Sequence, residues 1–358
     1  MSQRVVLHVG LMKSGTSYLQ ERLFLNRDRL GDQGVLLPGT TWRDQVLAVQ
    51  DVLGRQRAAR ASAGKWSDLL EQVSAHAGVS LVSMEFLGPA TPARIATVTE
   101  AFAGSTIEAV VTVRDLGRVV PAMWQERLKN GGVPGWREYV DSLPARGELA
   151  RWFWRQHGAG RIVQNWVAEL GAERVTVVTV PPPGADPGLL WSRFCEAAGI
   201  DGSSCLDVQP ANTSLDVASA LLLRAINLKL TENGPIGHRH QLLLKFGLAK
   251  RTLATNRGGC PIGFEPPPWL LDRASEIREK LAASGVRVVG DLADLVPAAV
   301  AGEDPDLVTP EAQLEAAVDT LAKLTTEYSD SRSWGRPADE PDEPDGLPQS
   351  ATDTSETS

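Results

Sequence analysis

Eight consecutive residues near the N-terminus, Gly10-Leu11-Met12-Lys13-Ser14-Gly15-Thr16-Ser17, bring together two glycines, a lysine and three hydroxyl side chains. They directly follow the apolar, β-branched run Arg4–Val9 (RVVLHV) and open a helical pattern. Glycines let the backbone turn tightly and aim its N–H groups inward, and the helix N-terminus adds partial positive charge. The combination forms a cradle for phosphate or a similar oxyanion. Lys13 is the first of only eight lysines in a chain with 28 arginines, and the next is Lys65. A composition that favours arginine has kept a lysine here.

Two further residues sit at comparable places. The run Thr106–Val113 (TIEAVVTV) reads as a strand and ends at Arg114, and Val79–Met84 (VSLVSM) reads as a strand and ends at Glu85. Lys13, Glu85 and Arg114 therefore each fall just past the C-terminal end of a different expected strand. In open parallel sheets that edge is where ligands bind. A carboxylate there can take a proton, and a guanidinium can hold an oxyanion.

The loop compares with the nucleotide-binding pattern GxxxxGK[ST]. Gly10 and Gly15 have its spacing, but Thr16 occupies the lysine position and the lysine lies three residues earlier. That points to a different anion. A P-loop kinase or NTPase, with Asp115 as the acid after a strand, is the rival reading. The segment HVGLMKSGTSYLQ instead resembles the 5′-phosphosulfate-binding loop of sulfotransferases that use 3′-phosphoadenosine 5′-phosphosulfate (PAPS). Lys13, Ser14, Gly15, Thr16 and Ser17 match that family's K-[S/T]-G-T-[T/S] one for one, with Met12 in place of the usual proline. Arg114 resembles the arginine that closes the family's 3′-phosphate strand; the serine expected eight residues later is Ala122. Arg118, one helical turn on, is then a candidate substitute donor. Arg257-Gly-Gly resembles the family's late RKG-type loop at a different spacing.

The resemblance implies a PAPS-dependent sulfotransferase of P-loop-like fold. Its cosubstrate would be PAPS, its product adenosine 3′,5′-bisphosphate (PAP), and no metal would be needed. The expected catalytic residues are Lys13 and Glu85, the latter as the base for the acceptor. The expected cosubstrate-binding residues are Lys13, Ser14, Gly15, Thr16, Ser17, Arg114 and Arg118. The acceptor would be a small molecule, carbohydrate or lipid bearing a hydroxyl or amine. A second rival is a non-catalytic PAP-binding scaffold, suggested by Ala122.

Charge and composition narrow the field. The net charge is −8, and from Asp330 onward eight acids face two arginines, so six of those eight charges lie in the last 29 residues. A nearly neutral body lacks the Lys and Arg surplus of a nucleic-acid binder. The segment 330–358, poor in apolar residues, is expected to be a disordered acidic tail. Three widely spaced cysteines, Cys195, Cys205 and Cys260, give neither a disulfide framework nor a metal signature. His238 and His240 share no ligand spacing with other candidate ligands and are expected at the surface; His8, inside a strand, is expected in the core. No run approaches about 18 apolar residues, and a strand starting at Arg4 leaves no room for a signal peptide. A cytoplasmic protein is expected. Of ten tryptophans, Trp166 shares a helical spacing with Val163 and Leu170 and is expected to pack; Trp124, near Arg114, is a candidate site residue.

These residues must be positioned by alternating elements. Besides the strands named, Val35–Leu37, Arg174–Val180 and Val286–Val289 are strand-like. Helical patterns cover Thr16–Arg29, Trp42–Arg55, Trp66–His76, Pro92–Phe102 and Leu189–Ala198, with others starting near Leu116 and Glu148. Continuous apolar strands separated by helices imply an α/β fold: three layers, a mostly parallel central sheet and helices on both faces. Beyond residue 205 the patterns are almost all helical, over Leu215–Glu232, Gln241–Thr252, Leu270–Ala283 and Glu311–Thr326. Residues 1–329 are expected to form one domain whose 205–329 part shapes the acceptor pocket.

Overall fold

The computed structural model describes residues 4–54, 59–208, 214–232, 234–255 and 259–329. Arg257 and the acidic segment from Asp330 lie outside the described residues. Six parallel strands form one sheet: β1 (Arg4–His8), β2 (Val35–Leu36), β3 (Val79–Ser83), β4 (Thr106–Val113), β5 (Val175–Thr179) and β6 (Arg287–Val289), in the order β2-β3-β1-β4-β5-β6. β1 is flanked by β3 and β4, so the strands that end at Glu85, at the glycine loop and at Arg114 are immediate neighbours. The register sets Leu7 beside Val82 and Ala109, and His8 beside Ser83 and Val110.

Side chains alternate between the faces with the period of two that a pleated strand imposes. Val6, Leu81, Val110, Val178 and Val289 face one way. They pack under α1 (Thr16–Leu25), α2 (Arg27–Asp32) and, later in the chain, the helix Leu189–Ala198. Val5, Leu7, Val82, Ala109, Val111, Val175 and Val177 face the other way. That face is covered by α3 (Trp42–Val52), α5 (Lys65–Ser74), α6 (Pro92–Glu100), α7 (Leu116–Lys129) and α10 (Ala159–Leu170), with the short α4 (Ala59–Ser62) beside α3. α8 (Trp136–Ser142) and α9 (Glu148–His157) lie between α7 and α10 in the chain, and the helix Leu189–Ala198 is α11. Helices thus cover both sides of a parallel sheet, the three-layer α/β architecture that the sequence pattern implies.

The C-terminal part is helical: α12 (Val217–Thr231), α13 (His238–Leu242), a π-helix over Leu243–Thr252, α14 (Pro268–Ala283) and α15 (Pro310–Ser329). Val217, Ala220, Leu223, Leu244, Leu253 and Leu270 join the apolar cluster on the face of the sheet that carries Val5, Leu7 and Val82. α12 starts at Asp216, whose carboxylate accepts from the Ser219 backbone N–H at 2.8 Å, satisfying one free donor of the first turn. The helix expected over Thr16–Arg29 is broken at Asn26, whose side-chain amide donates to the Arg22 and Leu206 carbonyls (2.8 and 2.9 Å). His238 and His240 fall on the short α13, where His240 is exposed. Among the described residues no helix is long and apolar enough to cross a membrane.

Candidate active site

The loop after β1 is held by close packing that only its glycines permit. A Cβ on Gly10 would lie 2.4 Å from Thr16 Cγ2, 2.5 Å from Thr112 Oγ1 and 2.7 Å from His8 Nε2. Gly15, with φ of 80°, caps α1 in the left-handed region, which Gly enters without penalty. Lys13 is also left-handed, at φ 62°, where a side chain costs about 1–2 kcal/mol. A strained non-glycine in a turn that glycine would fit better is a mark of a functional side chain.

Ser14 turns inward. Its hydroxyl donates to the Leu11 carbonyl (2.6 Å) and meets Thr112 Oγ1 at 2.7 Å, and its backbone N–H donates to Leu11 as well (3.2 Å). Ser14 therefore fixes the loop from inside instead of facing an anion. Gly15, Thr16 and Ser17 stand at the N-terminus of α1, where the N–H groups have no partner within the helix; Ser17 is exposed and Thr16 mostly buried. His8 sits beneath, fully buried, with Nδ1 2.7 Å from Ser83 Oγ and Nε2 3.2 Å from Thr112 Oγ1. Burial pushes its pKa down to about 3, so it is a neutral core group that joins three strands.

Arg114, at the end of β4, reaches across to this loop: its Nη1 donates to the Lys13 carbonyl at 3.2 Å. Its Nε–H is buried and makes no hydrogen bond. Burial, then repulsion from Arg118, lowers its pKa to about 10, which still leaves it cationic at neutral pH. Arg118 is placed differently from the expectation of a free donor. Its Nε pairs with the Asp115 carboxylate, and its Nη2 donates to the Pro181 carbonyl at 2.9 Å. Asp115, buried, also caps α7 through the Arg118 backbone N–H (3.0 Å) and accepts from the Ala298 N–H (3.2 Å). This pair braces the end of β4, and Asp115 is not free to hold a metal as a kinase would need.

Glu85 opens a short 3-10 turn (Glu85–Leu87) directly after β3. It is half-buried, and Gln20 of α1 donates to its Oε2 at 3.1 Å while also reaching the Ser83 carbonyl (3.3 Å). Gln20 thus ties the Glu85 carboxylate to the helix that follows the loop. Trp124 is not a site residue: it is fully buried, donates from Nε1 to the Pro134 carbonyl (3.0 Å) and stacks edge-on against Trp136. Trp166 packs fully buried in the core, as its spacing implies.

Lys13 does not stand alone. Its Nζ contacts Glu126 Oε2 at 2.7 Å, and Lys245 Nζ contacts Glu126 Oε1, also at 2.7 Å. Asn130 Nδ2 donates to the same Oε1 at 2.9 Å. Burial works to raise the Glu126 pKa, but the two lysines outweigh it and hold the carboxyl well below its ordinary value. Lys129 is buried beside it, and desolvation followed by repulsion from Lys13 brings its pKa down to about 8. Lys250 is lowered too, by burial and by Lys245. Nothing in the local sequence marks Glu126, Lys129, Lys245 or Lys250. The signal that could have found them is scarcity: four of the eight lysines of the chain gather here.

Two clefts lie elsewhere. One, of about 480 Å³, opens between Trp136, Arg137, Phe264 and Asp306. The other, of about 440 Å³, is at the N-terminal edge of the sheet between Arg4, Glu108, Arg174 and Arg287. Neither is lined by Lys13, Glu85 or Arg114. Among the described residues no group of three or more His, Cys, Asp or Glu side chains is arranged to hold a metal ion.

No family model matches the chain, and no curated protein matches it. A solved structure that it resembles is that of a sulfotransferase from Alicyclobacillus acidocaldarius, with 15% identity over 64% of this chain and 96% of that one and a TM-score of 0.40, a likeness too slight to carry weight.

Proposed function

We propose that the protein transfers a sulfuryl group from PAPS to a hydroxyl or amine of a small-molecule, carbohydrate or lipid acceptor. The observation that carries this reading is the junction of β1 and β4. There a lysine in a strained glycine-flanked loop and a buried arginine with an unsatisfied N–H meet at 3.2 Å on the C-terminal edge of the sheet. A buried donor without a partner costs about 1–3 kcal/mol, and an oxyanion relieves that cost.

Each residue then has a task. The N–H groups of Gly15, Thr16 and Ser17, with the α1 dipole, hold the 5′-phosphate. Arg114 takes the 3′-phosphate, and the Arg118–Asp115 pair keeps β4 in place beneath it. The acceptor oxygen or nitrogen attacks sulfur in line, and the bond from sulfur to the bridging oxygen breaks. Glu85 takes the proton of the acceptor, and Lys13 neutralises the charge that grows on the bridging oxygen as PAP leaves. A sulfuryl group carries less negative charge than a phosphoryl group, so fixed cations and amides suffice.

The test is thermal unfolding with PAP in the presence of EDTA. One-site linkage gives about 2.7 kcal/mol of stabilisation at 100-fold excess over Kd. Arg114→Ala should weaken PAP far more than adenosine 5′-phosphosulfate, which lacks the 3′-phosphate. No shift with PAP, against an EDTA-sensitive shift with ATP–Mg²⁺, would overturn the reading in favour of a kinase. Transfer of label from PAPS to a mixed acceptor pool separates the enzyme from a scaffold that merely binds PAP.

A further inference from the structure

Charge is sorted along this chain. Summed over residues 233–264, five Lys and Arg residues (Arg239, Lys245, Lys250, Arg251 and Arg257) meet no Asp or Glu. The segment 330–358 has the opposite balance, with five acids among the seven residues 339–345 (Asp339, Glu340, Asp342, Glu343 and Asp345). The fold brings the two stretches together. α15 packs against the π-helix Leu243–Thr252, and Arg251 Nε stands 3.5 Å from Glu327 Oε2, two residues before α15 ends at Ser329. The acidic segment therefore leaves α15 beside the basic stretch. Nine residues, 330–338, separate Ser329 from Asp339, and nine residues span about 30 Å when extended. Lys250, exposed and one position from Arg251, lies well within that reach.

Two of the five cations already have carboxylates from outside the stretch: Lys245 has Glu126 at 2.7 Å, and Arg251 has Glu327. Five less two leaves three positive charges in the balance of the stretch, against a net −6 in the segment 330–358. The same surface exposes Leu242, Leu243 and Phe246, with the Phe246 ring 5.1 Å from Lys250 Nζ. The acidic segment carries one tryptophan, Trp334, and one leucine, Leu347. It can thus offer carboxylates to Lys250 and an apolar side chain to the patch beside it. This surface leads to the glycine loop, because Lys245 and Lys13 hold opposite oxygens of Glu126.

We infer that the acidic segment 330–358 docks on the basic surface of the π-helix in its own molecule, around Lys250 and Phe246, and so competes with anionic ligands of the neighbouring glycine loop. That the displaced ligand is PAPS rests on the sulfotransferase reading; that the segment docks does not. Single surface ion pairs are weak. A short tether, however, gives an effective concentration on the order of millimolar, and several pairs act together. A segment docked in about nine tenths of the molecules lowers the apparent affinity of a competing ligand about tenfold.

The experiment is zero-length cross-linking of the full chain with a water-soluble carbodiimide, which condenses a carboxylate with a lysine amine, followed by peptide mass spectrometry. An equal mixture of isotopically labelled and unlabelled protein separates links within one molecule from links between two. Peptides carrying residues 339–345 should link to Lys250 and Lys245 within one molecule, in excess over the exposed Lys229 and Lys280. The excess should fall in about 1 M salt, where the screening length shortens to about 3 Å. Links spread evenly over the lysines, or absent from Lys245 and Lys250, overturn the inference. Links between labelled and unlabelled copies overturn it in favour of a second copy as the occupant. Converting the five acids to amides in the full chain (Asp339→Asn, Glu340→Gln, Asp342→Asn, Glu343→Gln and Asp345→Asn) should tighten PAP binding about two- to tenfold at low salt, and the difference should vanish at high salt. Equal PAP affinity in both proteins overturns the competition. Links to Lys250 in a protein that ignores PAP keep the docking and lose the sulfotransferase reading.

Discussion

Lys13 and Glu85 reach the same sheet edge from neighbouring strand ends, yet their contacts predict different kinetic failures. Lys13 lies in the loop itself and pairs with Glu126 at 2.7 Å; in the proposed mechanism it serves both the bound cosubstrate and the leaving oxygen. Lys13→Ala should weaken PAP binding and lower kcat together. Glu85 opens the turn after β3, and its carboxylate accepts from Gln20 at 3.1 Å. Glu85→Gln keeps the size and removes the proton acceptor, so kcat should fall about 10²–10⁴-fold with PAP affinity nearly intact. Single-turnover transfer from labelled PAPS, beside PAP titration, checks both; wild-type turnover in Glu85→Gln removes that residue from the mechanism. The residues nearest the first strand were legible because the loop is contiguous in sequence and its glycines have one physical use. Glu126 and the lysines of the π-helix were not, because more than a hundred positions separate Lys13 from them and only the fold closes that distance. Arg118 shows both cases: its pairing with Asp115 is a local contact three residues apart, but the Pro181 carbonyl that takes its Nη2 lies 63 positions on and is brought near only by the fold.

The β1–loop–α1 unit makes its own prediction, because its geometry leaves no room for one methyl group. Gly10 lies against Thr16, Thr112 and His8, and the closest of these would be 2.4 Å from an added Cβ. Thr112 and His8 cannot retreat, since they bond each other at 3.2 Å and anchor Ser14 and Ser83. Gly10→Ala should cost about 1–3 kcal/mol by overpacking and should weaken PAP binding as the loop shifts. Urea unfolding and PAP titration check it; unchanged values for both would mean that the loop yields freely. All six strands were visible in sequence because buried parallel strands are short unbroken runs of β-branched residues, from RVVLH in β1 to RVV in β6. The breaks between helices were harder. α9 and α10 meet at Gly158, and α1 ends at Asn26, where a side-chain amide bonds a distant carbonyl. α8 escaped notice altogether: it is seven residues long, too short to show a helical period, and its buried Trp136 packs against Trp124 and Phe264 with the buried Tyr139 beside it.

Over the whole molecule, two buried histidines tie stability to pH on the acid side of neutrality. His8 lies between β1, β3 and β4, and His157 ends α9; burial pushes each pKa down to about 3, with Lys13 adding repulsion at His157. Unfolding returns both to about 6.5, so below that value the unfolded chain binds protons that the folded chain refuses. Their stabilising effect is therefore complete above pH 6.5 and is lost as pH falls from 6.5 towards 3. At pH 5 each histidine should have removed about 2 kcal/mol of stability relative to pH 7.5. Glu126 acts in a separate window: its depressed pKa stabilises the fold above the ordinary carboxylate range and is lost only as pH falls below it. Lys129 acts on the alkaline side, where a folded pKa of about 8 makes stability rise as pH climbs from there to the ordinary lysine value. Urea unfolding between pH 7.5 and 5 isolates the histidines from both. His157→Gln, which cannot titrate, should halve the slope whatever it does to the absolute stability, and with its Nε2 already unpartnered it forfeits no hydrogen bond from that atom. A stability that stays level down to pH 5 would mean that both rings admit protons without unfolding, and that the core beneath the loop is open to water.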